Sequence, residues 1–279
     1  MKCLRARLWP ITSIQAIYLV LACPFHNSIG SVQKSEIIAS TQVALSYISS
    51  MSILALIPAR GGSKSIPRKN IKYLAGKPLI VWTIEASQKA ECFDQIVVST
   101  DDEEIAEVSR SYGASIPFMR PRRLAQDDTP GVSPVLHALE ILPKFEWVMV
   151  LQPTSPLRTA SDIQHSIAFC NDSKSSSLVS VTQASEHPYW MFTMDNKGLL
   201  KNAIPENNDV SRRQDLPSLY TLNGAIYLAH RQWLFRHKTL RGPDTVGYVM
   251  PNERSVDIDT PLDWELAEHL LSKIKSGNQ

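Results

Sequence analysis

The chain is poor in the features that mark several large protein classes. Its four cysteines form no C-x-x-C pair, which argues against a zinc site and a disulfide framework and favours a reducing compartment. Neither the P-loop pattern G-x-x-x-x-G-K-[ST] nor the dinucleotide-binding pattern G-x-G-x-x-G occurs. The net charge is only +2, so the composition does not suggest a nucleic-acid partner. What remains is an ordinary globular composition, 43% hydrophobic and 20% charged, in 279 residues.

The first 50 residues differ in character from the rest of the chain. Early cations precede an apolar stretch from about residue 11 to 23, as in a signal peptide, and this stretch is too short for a transmembrane helix. Met51 stands immediately before the first predicted strand, where a natural start would lie. We therefore predict that residues 1–50 are an N-terminal extension, either disordered or upstream of the true start. An export signal is the alternative.

The most informative stretch runs from Ile53 to Asn70 and joins an apolar run to a basic loop. Short apolar runs bounded by proline and glycine are typical of buried strands. Glycines after a strand let backbone N–H groups approach a phosphate, and cations can then neutralise its charge. The loop therefore predicts a polyphosphate site, with a basic surface turn as the alternative. Its cations are Arg60, Lys64, Arg68 and Lys69.

Strand-like and helix-like segments alternate after Met51, which predicts an α/β fold with a mainly parallel sheet. An aromatic-rich stretch at 183–221 interrupts the alternation and is interpreted as a lid or a dimer arm. The predicted strands are 53–58, 95–99, 114–118, 146–151, 177–182 and 222–229, and the predicted helices are 78–90, 102–112, 131–142, 161–170 and 260–275.

Three further polar segments are candidates for ligand binding. The segment 120–129 adds arginines to the positive field, although its acids and threonine could simply cap a helix. The segment 151–158 holds Gln152 in a proline-fixed loop after a strand, where α/β folds bind ligands, or forms a rigid turn. Arg213 could clamp a carboxylate or form a surface ion pair, and it precedes an Asn223-Gly224 turn signal before a strand.

Paired acids near the end of the chain indicate a metal site. Asp257 and Asp259 alternate along an extended segment, so their side chains point to one face. Carboxylates on one face suit Mg²⁺, which also binds substrate phosphates. The alternative is that Asp259 or Thr260 caps the final helix.

Six segments taken together resemble the CMP-sialic acid synthetases, the acylneuraminate cytidylyltransferases. They read A-R-G-G-S-K-S-I-P-R-K-N, I-V-V-S-T-D, R-P-R-R-L-A, L-Q-P-T-S-P-L-R, N-G-A-I-Y and D-I-D-T-P-L-D, in the family's order over about residues 53–270. The resemblance implies a Rossmann-like nucleotidyltransferase sheet in a cytidylyltransferase domain at 51–279. It implies transfer of CMP from CTP to a nonulosonic acid with release of pyrophosphate. It also implies a cytoplasmic homodimer with a swapped arm at about 183–221 and no membrane partner.

The resemblance assigns roles to residues at matching positions. The implied CTP contacts are Ala59, Arg60, Gly61, Lys69, Asn70 and Arg120, and the implied sugar-acid contacts are Gln152, Arg213 and Asn223. Asp257 and Asp259 would bind Mg²⁺, while Arg60, Lys69 and Asp259 would act in catalysis. Two departures stand out, since Ser65 replaces a frequent glycine and Thr221 replaces an arginine of some sialic acid enzymes. The acceptor is therefore left open, with legionaminic or another nonulosonic acid as candidates.

These roles predict in-line attack by the anomeric hydroxyl of the sugar acid on the α-phosphorus of CTP. No general base is evident in the sequence, and the metal is expected to suffice. Three alternatives stay open: a 3-deoxy-octulosonate cytidylyltransferase, a glycosyltransferase that uses a D-x-D motif, and a nucleotide-binding relative without activity.

Overall fold

The computed structural model describes residues 51–204 and 216–277. The strands of the described residues are β1 Ile53–Pro58, β2 Tyr73–Leu74, β3 Lys77–Pro78, β4 Gln95–Ser99, β5 Trp147–Val150, β6 Ser177–Gln183, β7 Phe192–Met194, β8 Leu200–Asn202, β9 Tyr220–His230 and β10 Val246–Val249. Six of them form the main sheet, in the order β10-β6-β9-β5-β1-β4. The α-helices are α1 Leu79–Lys89, α2 Glu103–Ser111, α3 Ser133–Ile141, α4 Ala160–Asp172, α5 Arg231–His237 and α6 Pro261–Gly277.

The sheet is mixed but mostly parallel. β1 pairs in parallel with β4 and β5, and β10 pairs in parallel with β6. β9 runs antiparallel between β5 and β6. The carboxyl ends of β1, β4, β5, β6 and β10 therefore meet at one edge, which the amino-terminal half of β9 joins. Loops that leave this edge are the ones that can converge on a ligand.

Helices cover both faces of the sheet around β1, which lies between β5 and β4 and is apolar from Ile53 to Ile57. Every residue from Ile53 to Ile57 is fully buried, as expected of a strand covered on both faces. One core cluster packs α3 and α5 against β1, β4, β5 and β9. A second cluster packs α1 against α6, with Leu79 and Trp264 at its centre. Burial of these side chains fixes the strands from which the site loops start.

The structure confirms most of the predicted elements, corrects one strand and one turn, and adds elements that were not predicted. A strand at 114–118 is wrong, because Ser115 makes one parallel bridge to Val97 and the next ladder donor would be Pro117, which has no N–H. The turn expected at Asn223-Gly224 lies inside β9, where Gly224 has φ 72° and the register against β6 shifts. Helix α5 and strand β10 were not predicted.

The stretch at 183–221 contains an exposed β-hairpin formed by β7 and β8. Residues 205–215 of this stretch lie outside the described part of the chain, as do residues 1–50, so the predicted extension and domain bounds stay predictions. Among the described residues, no helix is long and apolar enough to cross a bilayer.

Candidate active site

The loop after β1 is fixed by the strand and helix beside it. Ala59 N–H donates to the Ser99 carbonyl at 2.9 Å, and Gly61 N–H donates to Asp101 Oδ1 at 3.0 Å. A Cβ at Gly61 would lie 2.7 Å from Asp102 Oδ2, so the close approach requires glycine there. The Asn70 amide, which is buried, donates to the Arg60 carbonyl at 3.0 Å and closes the loop from its other end.

The four predicted phosphate cations of this loop do not all have the same protein partner. Arg60 lies 2.8 Å from Asp127 Oδ1, and Lys64 pairs with the same carboxylate. Both pairs are solvent-exposed, so each contributes little to stability. Of the two cations, Arg60 lines the cavity described next, where a phosphate can replace the carboxylate, and Lys64 does not. Arg68 instead pairs with Asp102 and Glu104 at the start of α2, and it does not line the cavity described next.

A cavity of about 280 Å³ opens at the carboxyl edge of the sheet. Five of the predicted site residues line it: Arg60, Lys69, Asn70, Arg120 and Gln152. The cavity is also lined by the segment 120–129, which was predicted to add positive charge with helix capping as the alternative, and by residues of α3 and of the loop after α5. Those lining residues include Gln126, Thr129, Gly131, Pro134 and Leu240. The sequence carried no signal for Leu240, since α5 itself was not predicted.

Arg120 is the most firmly held cation of the cavity. Its Nε donates to Ser99 Oγ at 3.0 Å, its Nη2 bonds the Ser99 carbonyl, and only 6% of the residue is exposed. Burial lowers the pKa of Arg120 to about 10, with Asp101 opposing the shift and Arg60 adding to it. The guanidinium therefore stays charged at neutral pH and adds a fixed positive potential to the cavity.

The segment after β10 brings the partly buried carboxylate of Asp257 next to Gln152. A Cβ at Gly224 would lie 3.0 Å from Asp257 Oδ2 and 3.1 Å from Gln152 Oε1, so both side chains border the same point of β9. Asp257 Oδ1 is buried and has no hydrogen-bond partner among the described residues. Burial raises the pKa of the Asp257 carboxyl, Thr154 opposes the rise, and the charge of Asp259 adds to it. A buried oxygen without a partner destabilises the folded protein unless a cation or a hydrogen-bond donor binds to it.

Asp259 is exposed and faces the loop cation Lys69. Lys69 Nζ donates to the Ile258 carbonyl at 2.7 Å and to Asp259 Oδ1 at 3.2 Å. The carboxylate does not cap α6, because Thr260 and Asp263 form that cap between themselves. Asp257 and Asp259 are thus both available as cation ligands, which fits Mg²⁺, an ion commonly held by one or two carboxylates and substrate phosphates. In 51–204 and 216–277, no three His, Cys, Asp or Glu side chains gather as a metal site.

The structure places the remaining predicted residues as follows. Asn223 is buried, donates to Ser255 Oγ at 2.9 Å and accepts from Ser180 Oγ at 2.6 Å. It is not among the residues lining the cavity. Arg213 lies outside the described residues. Ser65, which replaces a glycine frequent in the family, does not have a positive φ. The serine is therefore accommodated without backbone strain.

Comparisons with known proteins agree with this geometry. A family model described as cytidylyltransferase matches residues 54–272. CMP-N,N'-diacetyllegionaminic acid synthase of Legionella pneumophila is 39% identical over 231 residues, which are 79% of this chain and 97% of the relative. N-acylneuraminate cytidylyltransferase of Escherichia coli is 35% identical over 222 residues, which are 79% of this chain and 52% of the relative.

A solved structure shares the fold at low sequence identity. The structure of CMP:2-keto-3-deoxy-manno-octonic acid synthetase complexed with CTP superposes with a TM-score of 0.62 at 16% identity. The superposition covers 80% of this chain and 99% of the chain in that structure. This likeness confirms the predicted α/β nucleotidyltransferase sheet. Together with the matched sequence and the cationic cavity, it leads to one assignment: the chain belongs to the cytidylyltransferase family and is a cytidylyltransferase.

Proposed function

We propose that this enzyme transfers CMP from CTP to the anomeric hydroxyl of a nonulosonic acid and releases pyrophosphate. One observation carries the proposal: a single cavity is lined by the cations Arg60, Lys69 and Arg120. Asp257 lies next to the lining residue Gln152, and its buried Oδ1 has no partner in the described chain. Cations suit a triphosphate, and a buried carboxylate suits a divalent cation. Since the reaction consumes CTP, we infer a cytoplasmic location.

The residues of the cavity have distinct tasks in this reaction. The anomeric hydroxyl gives its proton to solvent as its oxygen forms a bond to the α-phosphorus, the bond from that phosphorus to the bridging oxygen breaks, and pyrophosphate leaves. Arg60 and Lys69 hold the leaving phosphates, because their charges lie where negative charge accumulates. Asn70 keeps the loop in place through the Arg60 carbonyl, and Arg120 is fixed against β4 to contact the nucleotide.

Asp257 and Asp259 would hold Mg²⁺. When bound, the ion would lower the pKa of an attached hydroxyl and offset charge on the phosphate oxygens. The two carboxylates differ in exposure: Asp257 is partly buried, while the side chain of Asp259 is 74% exposed. Lys69 bonds the carbonyl between them, so the cation of the phosphate loop and the acidic segment are held together.

The sugar acid is proposed to bind beside Gln152, with Arg213 as a carboxylate clamp. Gln152 lines the cavity and its Oε1 lies near Gly224, close to Asp257. The relatives act on different acids by name, legionaminic in one case and neuraminic in the other, so the acceptor is assigned here as a class. Membership of the cytidylyltransferase family argues against the alternative of a D-x-D glycosyltransferase.

A homodimer is part of the proposal, because the hairpin of β7 and β8 exposes apolar side chains on isolated strands. Phe192 is 50% exposed, Met194 71% and Leu200 62%. A two-stranded hairpin is marginal by itself in water and needs a surface to pack on. A second copy of the chain supplies that surface in the arrangement we propose.

The decisive assay measures pyrophosphate release from CTP with a panel of 2-keto sugar acids. The panel includes legionaminic, neuraminic and pseudaminic acids as nonulosonic members and 3-deoxy-octulosonic acid as the eight-carbon competitor. We expect kcat/KM for at least one nonulosonic acid to exceed that for the octulosonic acid by 100-fold or more, on the order of differences set by well-placed polar contacts. Preference for the octulosonic acid would overturn the acceptor class, and CTP binding without pyrophosphate release would overturn the activity.

A further inference from the structure

The two aspartates lie on a segment with little regular structure of its own. After β10 the chain makes one 3-10 turn, Asn252–Arg254, and continues without helix or strand to α6. A helix or a strand ladder therefore does not set where Asp257 and Asp259 point, and individual contacts to neighbouring elements must do so. Arg254 lies three positions before Asp257 and makes the most extensive of these contacts.

Arg254 forms a two-pronged ion pair with Asp162. Its Nε donates to Asp162 Oδ2 at 2.9 Å and its Nη2 donates to Oδ1 at 2.8 Å. Asp162 is 1% exposed and is itself fixed, because it accepts from Thr159 N–H at 3.0 Å in the capping box that begins α4. Planar, bidentate pairs of this kind fix orientation as well as distance. Arg254 is thus anchored to the helix that follows the Gln152 loop.

A second anchor acts just beyond Arg254. Asn223 donates from Nδ2 to Ser255 Oγ at 2.9 Å, and Asn223 Oδ1 is held by Ser180. Ile258 N–H donates to the Thr154 carbonyl at 2.9 Å. The acidic segment is therefore tied to α4, β9 and the Gln152 loop at successive positions.

We propose that Arg254 is a positioning residue, which holds residues 255–259 through Asp162 so that the carboxylates of Asp257 and Asp259 face one cation together. Ser255, held by Asn223, is the second anchor of the same segment. This inference rests on the proposed function, because it presumes that the two aspartates bind a divalent cation. Residues that orient metal ligands through hydrogen bonds typically change metal affinity by about 10–100-fold when removed.

The test measures Mn²⁺ binding directly, from the free-ion signal in electron paramagnetic resonance, with CTP present and no sugar acid. Arg254→Met keeps the length of the stem and removes the ion pair. We expect its Mn²⁺ dissociation constant to rise about 10–100-fold. Ser255→Ala removes the single hydrogen bond from Asn223 and should raise the Mn²⁺ dissociation constant by a smaller factor. Arg254→Lys should recover part of the loss. Arg110→Met is the matched control, because Arg110 forms an exposed ion pair with Glu103 and should leave Mn²⁺ binding unchanged.

A merely structural role for Arg254 makes a different prediction. It would lower the melting temperature of Arg254→Met while the folded fraction bound Mn²⁺ with wild-type affinity, and this result would overturn the proposal. Should Arg254→Met not fold, unchanged Mn²⁺ affinity in Ser255→Ala and Arg254→Lys would overturn it equally. The wild-type protein separates the two hypotheses: absence of pyrophosphate release there refutes the proposed function, whereas release with unaltered Mn²⁺ binding in the variants refutes the positioning role alone.

Discussion

At the scale of single residues, the structure separates side chains that look equivalent in the sequence. Lys64 and Lys69 are both cations of one loop, but the side chain of Lys64 is 81% exposed and that of Lys69 only 12%. Lys69 reaches the acidic segment, while Lys64 shares Asp127 with Arg60. Charge in a loop was predictable from composition. Which charge enters the cavity depends on contacts made 190 residues away, and no local pattern carries that information.

Removing the Lys69 ammonium should therefore slow the reaction far more than removing that of Lys64. We expect Lys69→Ala to lower kcat/KM by about 10²–10³, as for the loss of one preorganised charge at a developing anion. Lys64→Ala, the control in the same loop, should change it less than about threefold, since exposed charges away from the reacting atoms act weakly. Steady-state pyrophosphate release gives both values. Equal losses in the two variants would contradict the account.

The paired glycines of the loop offer a second contrast. A Cβ at Gly61 would meet Asp102 Oδ2 at 2.7 Å, whereas one at Gly62 would meet no atom within 4 Å in the described part of the chain. Gly61→Ala should thus destabilise the protein by about 1–3 kcal/mol, as overpacking does, and should lower CTP affinity. Gly62→Ala should have a free energy of unfolding within about 0.5 kcal/mol of the wild-type value. Urea unfolding checks both values, and a neutral Gly61→Ala would refute the close approach.

At the scale of secondary-structure elements, the sequence predicts those that follow a strong periodic pattern. The strands at 53–58 and 95–99 were predicted at their observed bounds, because each is a short apolar run with turn signals beside it. Strand β10 is only four residues long and contains Gly247, so no run marks it. Its position at the sheet edge depends on pairing with β6, which is a tertiary contact. The aspartate pair was visible in the sequence, but its anchors in Asp162 and Asn223 were not.

The ion pair between Arg254 and Asp162 makes stability depend on pH. Burial tends to raise the pKa of Asp162, but the bonds from Arg254 and Thr159 prevail and lower it. A carboxyl with a lowered folded-state pKa stabilises fully above its unfolded pKa of about 3.9, and the gain is lost as the pH falls through the lower native pKa. Wild type should therefore lose this contribution only in strongly acidic solution.

The Arg254→Met variant tests that dependence. It should be about 1–3 kcal/mol less stable than wild type at pH 7, because the buried carboxylate has lost its partner. The difference in free energy of unfolding between wild type and variant should shrink between about pH 5 and pH 3, where Asp162 of the variant becomes neutral. Urea unfolding of both proteins across this range measures it. A deficit that is constant with pH would show that the charge of Asp162 is not involved.

At the scale of the whole molecule, the sheet and its loops account for the cavity, whereas the arm leaves apolar side chains exposed. The exposed apolar side chains of β7 and β8 lie on a hairpin that packs poorly by itself. The sequence predicted an arm at 183–221 from its aromatic content and interrupted rhythm. Periodicity could not tell an interface from a lid, because both expose apolar residues until something covers them.

Charge placed on the hairpin should separate the subunits. Met194→Glu and Leu200→Glu each put a carboxylate into the proposed interface, and we expect a shift from dimer to monomer in light scattering after size exclusion. Lys197→Glu, in the turn between the two strands, is the control and should leave the dimer intact. A wild-type protein that is monomeric at micromolar concentration would refute the homodimer directly.

The proposed reaction joins CMP to a sugar acid and releases pyrophosphate. Phosphorus NMR of a reaction holding enzyme, Mg²⁺, CTP and the preferred nonulosonic acid tests it most directly. We predict that the three CTP resonances are replaced by one phosphodiester signal and the pyrophosphate signal, in equal molar amounts of the two products. Unchanged CTP, or pyrophosphate accompanied by free CMP instead of the phosphodiester, would contradict the account.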